Sequence, residues 1–135
     1  RDLINRLDLT DSIIINNVHE TFHLQEVYNR AKLFIFPSLY EGFGIPILEA
    51  FASKVPVLLT NASCFPEIAK DAALYFEPED QVDFQNKVNL ALKSDEIRRH
   101  LIENGISRLN EFSWEKTAVE TNDLYVSLLN SRKES

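Results

Sequence analysis

Short apolar runs alternate with helical patterns through the first part of the chain, and this alternation most constrains how the chain can fold. Four runs rich in β-branched or aromatic residues have the length and composition of buried strands. They are Ile13–Ile15, Leu33–Phe36, Val55–Leu59 and Ala73–Phe76. The segments between them predict helices over Leu24–Ala31, Pro46–Ser53 and Phe65–Ala69. Such alternation predicts an α/β fold, a Rossmann-like parallel sheet of about four strands with helices on both faces.

The remainder of the chain carries helical patterns only. We expect helices over Val82–Leu92, over Asp95–Leu109 and from Trp114 to about Leu129, with Ser113 as the N-cap of the last one. The length of 135 residues suits a single domain. Residues 1–130 are therefore predicted to form one α/β domain that ends in helices, and residues 131–135 a disordered tail.

Composition argues against several classes of protein. The net charge is −7, whereas a protein that binds nucleic acid needs a basic stripe to neutralise phosphates. No apolar run approaches the roughly 20 residues that span a bilayer. The single cysteine, Cys64, allows no disulfide within the chain and is expected to be a small, at least half-buried side chain. We expect a cytoplasmic domain, with the inner face of the membrane as the alternative in its parent protein.

Ligands of parallel α/β sheets bind beyond the carboxyl ends of the strands, which points to the turn from Pro37 to Ile45. Two carboxylates eight positions apart, Glu41 and Glu49, flank two glycines and a helix start. Main-chain amides there can converge on an anion at the positive end of the helix dipole. The arrangement suits a phosphate between two hydroxylated rings. Acidic residues also stabilise a helix start by about 0.3–1 kcal/mol with no ligand, so a purely structural role stays open.

The residues around these carboxylates resemble a known family. Pro37-Ser38, Glu41–Pro46 and Glu49-Ala50 are similar to the E-x7-E signature of retaining glycosyltransferases with the GT-B fold, the family 4 or group 1 enzymes related to sucrose synthase and mannosyltransferases. The similarity continues at Pro56-Val57, Pro66–Ala69, Asp71–Ala73 and Phe112–Ala118. The resemblance implies the C-terminal, donor-binding domain of such an enzyme.

The resemblance also implies a role for each matched residue. Glu41 is the implied catalytic residue and hydrogen-bonds hydroxyls of the donor sugar, while Glu49 holds the ribose. The amides implied to bind the sugar and the diphosphate are those of Gly42, Phe43, Gly44 and Ile45. The base is implied to lie near Asn17, Val18 and Leu24. The substrate is an NDP-sugar, and no metal or other cofactor is expected.

The implied reaction moves a hexose from a GDP- or UDP-linked donor to a glycan or lipid-linked acceptor with retained configuration. Family members carry an upstream Arg/Lys pair for the diphosphate and a separate acceptor-binding domain, and neither is recognised in this chain. The chain alone is therefore expected to bind donor weakly, to transfer no sugar, and to self-associate through an exposed sheet edge. Two further departures are Lys54 and Asn17, where the family often has glycine.

Two alternatives belong to other classes. His19-Glu20-Thr21-Phe22-His23 matches the H-E-x-x-H pattern of zinc hydrolases, which needs both histidines on one helical face and a third ligand. Asn16-Asn17-Val18 separates the motif from a predicted strand, and the predicted helix starts only near Leu24, so the motif straddles a loop and its context is poor. The second alternative is an interaction domain that has kept the fold without catalysis. The presence of both Glu41 and Glu49 weighs against it.

Overall fold

The core of the molecule is a parallel sheet of three strands. The computed structural model describes residues 1–15 and 21–131, with residues 21–23 as backbone only. The strands are β1 (Phe34–Phe36), β2 (Val57–Thr60) and β3 (Ala73–Phe76), in the order β1-β2-β3. Phe34 lies opposite Val57, and Val57 lies opposite Ala73. An α/β fold built on a parallel sheet is thereby confirmed.

Helices connect and follow the strands. They are α1 (Asp2–Arg6), α2 (Thr21–Arg30), α3 (Ile45–Ala52), α4 (Phe65–Ala69) with a 3₁₀ turn at Lys70–Ala72, α5 (Gln81–Lys93), α6 (Asp95–Leu109) and α7 (Trp114–Ser131). The predicted helices thus exist, and each of their ends lies within three residues of the expected one. Helix α7 runs one residue into the predicted tail, and residues 132–135 lie outside the described residues.

The prediction of a strand at Ile13–Ile15 is wrong. These residues have no regular structure, and the Ile14 side chain is 91% exposed. The amide of Ile13 donates to the carbonyl of Leu9 at 3.0 Å, so a turn over residues 9–13 uses the group that a strand ladder would need. Three β-branched residues favour extended backbone, but they form a strand only where a neighbouring strand and a buried face are available. The described sheet therefore has three strands instead of about four.

Side-chain caps begin the three C-terminal helices. Asp80 accepts hydrogen bonds from the amides of Val82 and Asp83 at the start of α5, at 3.0 and 2.9 Å. Ser94 caps α6 in the same way, and the Ser113 hydroxyl accepts from the amide of Lys116 at 3.0 Å. The predicted N-cap at Ser113 is confirmed. A helix cap joins residues only two or three positions apart, so residue type and position were enough to predict the cap at Ser113.

Helix α3 ends in a turn that places Lys54 in the left-handed region, at φ 57°. The amide of Lys54 donates to the Phe51 carbonyl and that of Val55 to the Ala50 carbonyl, each at 3.0 Å. This pair of bonds is the Schellman motif, whose left-handed position is usually glycine. Val55 is buried just beyond it. Lysine at this position keeps the turn but holds a strained backbone angle, which explains why the departure at Lys54 leaves the helix end intact.

The sheet is covered by α3, and α3 is covered by α6. All four residues of β2 are buried, as are Ile47 and Phe51 on one face of α3. Gly105 of α6 is also buried, and a Cβ atom there would lie only 2.7 Å from Cδ1 of Phe51. The absence of a side chain at Gly105 therefore lets the two helices approach closely. This packing fixes the position of α3, the helix that carries Glu49.

Candidate functional site

The loop of residues 37–44 leaves the carboxyl end of β1 and leads directly into α3. Gly44, the N-cap residue of α3, is buried and has φ 98°. A Cβ atom there would meet Cδ1 of Ile47 at 2.9 Å, so both the backbone angle and the space require glycine. Gly42 is different, because it is exposed, has no positive φ and would meet nothing within 4 Å. The described structure therefore requires glycine at Gly44 and places no such requirement on Gly42.

The start of α3 presents main-chain amides that nothing in the described part of the chain uses. Gly44 provides no side chain to cap the helix. Pro46 lacks an amide hydrogen, and the amide of Ile47 donates to the Gly44 carbonyl at 2.9 Å. The amides of residues 42–45 find no hydrogen-bond acceptor among the described groups. A ligand can therefore take these donors, which the helix dipole favours if the ligand is an anion.

Hydrogen bonds fasten this loop to the loop that follows β2. The amide of Glu41 donates to the Ser63 hydroxyl at 3.1 Å, and that hydroxyl donates to the Glu41 carbonyl at 3.0 Å. The hydroxyl of Thr60, at the end of β2, donates to the Ser38 carbonyl. Sequence reasoning missed Ser63 and Thr60. The rule that ligands bind at carboxyl ends of strands could have found them, since both follow or end the neighbouring strand.

Cys64 completes the junction between the two loops. Its side chain is half-buried, and Sγ lies 3.2 Å from the Phe43 carbonyl and 3.4 Å from the Glu41 carbonyl. The single thiol hydrogen can donate a weak hydrogen bond to either of these main-chain oxygens or be shared between them. The expectation of a small, half-buried structural residue is therefore confirmed.

The two predicted carboxylates are each held by one hydroxyl group. Oε1 of Glu41 accepts a hydrogen bond from Oγ of Ser38 at 2.9 Å. Oε2 of Glu49 accepts one from the hydroxyl of Tyr28 at 3.1 Å. Both carboxylates are half-buried, and their second oxygens have no partner among the described groups, which include only the backbone of residues 21–23. Each therefore keeps acceptor capacity for ligand hydroxyls.

Tyr28 was not predicted from sequence, although it makes the main protein contact of Glu49. Its side chain is 7% exposed, and its ring lies 5.5 Å from that of Phe34. Burial and the charge of Glu49 raise the pKa of the Tyr28 hydroxyl above its ordinary value. The hydroxyl therefore stays protonated and remains a donor. The only sequence signal was its place on the apolar stripe of α2, which does not distinguish a core residue from a site residue.

Two grooves meet at Glu49. The first, of about 210 Å³, lies between α2 and α3 and is lined by Leu24, Gln25, Tyr28, Glu49, Ala52 and Ser53. The second, of about 360 Å³, lies between α3 and the start of α7, and its lining includes Phe43, Ile45, Leu48, Glu49, Phe112 and Trp114. Of the residues predicted near the base, Leu24 thus shares a groove with Glu49. Asn17 and Val18 lie outside the described residues.

Phe43 is held by a stack that reaches the far end of α6. Its ring meets the Phe112 ring edge-on, with centroids 5.6 Å apart. The guanidinium of Arg108 lies 4.7 Å from the centroid of Phe112 and donates to the carbonyls of Glu67 and Ile68, each at 2.8 Å. Because Arg108 is buried, these contacts hold the Phe112 ring in place, and Phe112 in turn supports the ring of Phe43. The sequence showed only an arginine in the last turn of a helix.

The functional side chains of the zinc motif in residues 19–23 lie outside the part of the chain that the structure describes. Within residues 1–15 and 21–131 no three His, Cys, Asp or Glu side chains come close enough to hold a metal ion. His19 and Glu20 lie outside the described residues, as does the side chain of His23.

Among the helices that the structure describes, every one is too short or too polar to cross a bilayer.

The chain is similar in sequence to proteins of one known family. The family model for glycosyl transferases group 1 matches residues 1–108. The O-antigen chain mannosyltransferase B of Escherichia coli is 36% identical over 102 residues, which is 76% of this chain and 27% of that protein. The MMP alpha-(1->4)-mannosyltransferase of Mycolicibacterium hassiacum is 31% identical over 127 residues, 91% of this chain and 31% of that protein.

A solved structure shows the same fold. Sucrose-phosphate synthase from Thermosynechococcus elongatus superposes with a TM-score of 0.85 at 26% identity, over 96% of this chain and 33% of that one. The chain thus spans about a quarter to a third of the length of these similar proteins. Because the family model covers most of its residues, the chain belongs to the glycosyl transferases group 1 family.

Proposed function

We propose that the start of α3 and its two flanking carboxylates bind an NDP-sugar, and that the full-length protein transfers the sugar from this donor. One observation carries the proposal. A helix start with amides that find no acceptor among the described residues lies between Glu41 and Glu49, and each carboxylate keeps one oxygen without a protein partner there. An anion flanked by two groups of hydroxyls fits this arrangement.

The diphosphate is assigned to the amides at the start of α3. The Ile45 amide is the first of the helix, and the left-handed Gly44 turns the loop into the helix directly before it. The positive end of the helix dipole favours an anion there by about 0.3–1 kcal/mol at an exposed site. Neither groove beside Glu49 is lined by Lys or Arg among the described residues. Binding of the phosphate by this chain therefore depends on main-chain donors.

The two hydroxylated rings are assigned to the two carboxylates. Glu49 lies inside α3 at the junction of the two grooves, and we assign it to the ribose. Glu41 lies in the loop before the helix, and we assign it to hydroxyls of the donor sugar, as the catalytic residue. The amides of Gly42, Phe43 and Gly44 serve the same sugar. Leu24, in the groove on the α2 side, supports placing the base there.

Transfer requires more than these groups. When the bond between the anomeric carbon and the phosphate oxygen breaks, negative charge develops on the released diphosphate and must be stabilised. The two grooves beside Glu49 have no Lys or Arg among their described lining residues, so the groups we assign to this charge are main-chain amides and the helix dipole. We therefore expect the 135-residue chain by itself to bind donor weakly and to transfer no sugar. We also propose that transfer by the full-length protein retains the anomeric configuration.

The names of similar proteins suggest which donor to test first. Two of them are mannosyltransferases, one of them named for an O-antigen chain. We infer that the transferred hexose is mannose, from a GDP- or UDP-linked donor, and that the acceptor is a glycan or a lipid-linked glycan. The base and the acceptor are open to direct measurement.

Ligand-observed NMR on the full-length protein tests donor binding with GDP-mannose and the UDP- and ADP-linked hexoses. We expect one base to bind, and Glu49→Gln to lose that binding because the amide accepts weaker hydrogen bonds than the carboxylate. Glu103→Gln, an equally conservative change on an exposed face of α6, is the matched control. If no NDP-sugar binds the folded protein, the proposal is refuted and an interaction domain becomes the better interpretation. The anomeric coupling of the product tests retention, and an inverted product would contradict it.

The edge of the sheet motivates a separate proposal, that the isolated chain self-associates. Within the described residues β1 pairs only with β2, so its outer edge offers unpaired main-chain groups. We expect light scattering to show dimers or larger species at high concentration. A monomer throughout the concentration range would rule this out.

A further inference from the structure

Tyr28 connects three elements of the fold at the point where Glu49 is held. It belongs to α2, its ring packs against Phe34 of β1, and its hydroxyl reaches α3. The hydroxyl lies 3.1 Å from Oε2 of Glu49 and 3.5 Å from the Pro46 carbonyl. The shorter contact is to the charged acceptor, which forms the stronger bond. Tyr28 thus ties the side chain of Glu49 to the rigid body of the domain.

The contact restricts Glu49 in a way that suits ligand binding. A glutamate on an open groove normally samples several rotamers, and ordering it when a ligand binds costs side-chain entropy. The bond to Tyr28 occupies Oε2, whereas Oε1 has no partner in the described part of the chain. A tyrosine ring that is 7% exposed cannot follow the carboxylate into solvent, so the anchored oxygen stays in place. The free oxygen is therefore presented in a narrow range of positions.

We propose that Tyr28 is a positioning residue for the ribose subsite, whose hydroxyl holds the Glu49 carboxylate so that its free oxygen accepts a ribose hydroxyl. The inference rests on the proposed role of Glu49. It goes beyond that role because part of the affinity for the ribose diol then depends on a residue outside the E-x7-E segment. Burial keeps the pKa of the Tyr28 hydroxyl above its ordinary value, so the donor is present throughout the neutral pH range.

Calorimetric titration of the full-length protein with GDP, UDP and their 2′,3′-dideoxy counterparts tests this role. The wild-type protein should bind the ribose form of its nucleotide more tightly than the dideoxy form. Tyr28→Phe keeps the ring and its packing on Phe34 but removes the hydroxyl. We expect the affinity for the ribose form to fall about five- to tenfold, and that for the dideoxy form to change less than about twofold.

Tyr75→Phe is the matched control. Tyr75 on β3 donates its hydroxyl to the Lys70 carbonyl at 2.7 Å, far along the chain from Glu49. Its loss should lower stability without changing the ratio of the two affinities. If Tyr28→Phe does not fold, the same titration is made in the Lys54→Gly background, in which the strained turn after α3 is relieved.

The outcomes separate this inference from the proposed function. Equal binding of ribose and dideoxy forms by the wild-type protein would refute the ribose role of Glu49 itself. If Glu49→Gln abolishes the preference for ribose and Tyr28→Phe leaves it intact, the role of Tyr28 is overturned and that of Glu49 stands. Equal weakening of both nucleotides by Tyr28→Phe would show a merely structural residue and would also overturn the inference.

Discussion

Replacement of Gly105 by alanine should destabilise the protein, although helix propensity alone predicts the opposite. Gly105 lies inside α6, where alanine is favoured over glycine by about 1 kcal/mol. The added Cβ would lie 2.7 Å from Cδ1 and 3.1 Å from Cγ of Phe51, whose side chain is 2% exposed and cannot move into solvent. Such overpacking costs about 1–3 kcal/mol. Since the contact is with two ring atoms, we take the upper part of that range.

The expected net effect is a loss of about 1–2 kcal/mol in the free energy of unfolding. For a domain of this size it corresponds to a fall in Tm of about 3–8 °C. Urea unfolding followed by circular dichroism measures it. Gly42→Ala is the matched control, because a Cβ at Gly42 meets nothing within 4 Å, and its effect should be small. In a Phe51→Leu background, which removes the ring, Gly105→Ala should become neutral or stabilising. A higher Tm for Gly105→Ala in the otherwise wild-type protein would refute the packing argument.

Three further changes test other parts of the structure. Lys54→Gly should raise the free energy of unfolding by about 0.5–1 kcal/mol in a urea titration, because glycine adopts the left-handed angle without strain; a decrease would contradict this. Gly44→Ala should lower stability by about 2 kcal/mol and weaken NDP-sugar binding, since φ 98° and the contact with Ile47 both exclude a side chain; unchanged calorimetric affinity would be contrary. Arg108 holds the pKa of the Glu111 carboxyl below its ordinary value. The Arg108–Glu111 pair therefore stabilises the fold fully above the ordinary carboxyl pKa, and this stabilisation is lost as the pH falls through the lowered pKa of Glu111. Arg108→Gln should raise the pKa of Glu111 in an NMR titration, and an unchanged pKa would refute the pairing.

The site was predicted from sequence only where its residues lie close together in the chain. Glu41, Gly44, Ile45 and Glu49 fall within one loop and one helix, so their spacing indicates a helix start between two carboxylates. Their ligand roles stay predictions. The groups that hold the carboxylates differ in this respect. Ser38 lies three residues from Glu41, but Tyr28 lies 21 residues from Glu49, too far for any local pattern to connect them.

The wrong strand prediction and the unpredicted roles of the glycines have the same origin. Ile13–Ile15 has the composition of a strand, but a strand exists only through its neighbours, and the amide of Ile13 is bonded to Leu9. Gly42 and Gly44 look equivalent in sequence, yet only Gly44 lies under Ile47 with a left-handed angle. Gly105 is an unfavourable helix residue by propensity. The structural reason for glycine there is the ring of Phe51 on the facing helix, which leaves no space for a side chain.

The sequence by itself determined the alternation of strands and helices, the cap at Ser113 and the E-x7-E segment, because these depend on contacts within a few residues of one another. Only the tertiary structure decided that the sheet described has three strands, that Tyr28 holds Glu49, that Ser63 fastens the Glu41 loop and that Arg108 supports Phe43 through Phe112. The physical reason is that these contacts join residues about 20 to 70 positions apart, and packing in the folded chain alone brings such residues together.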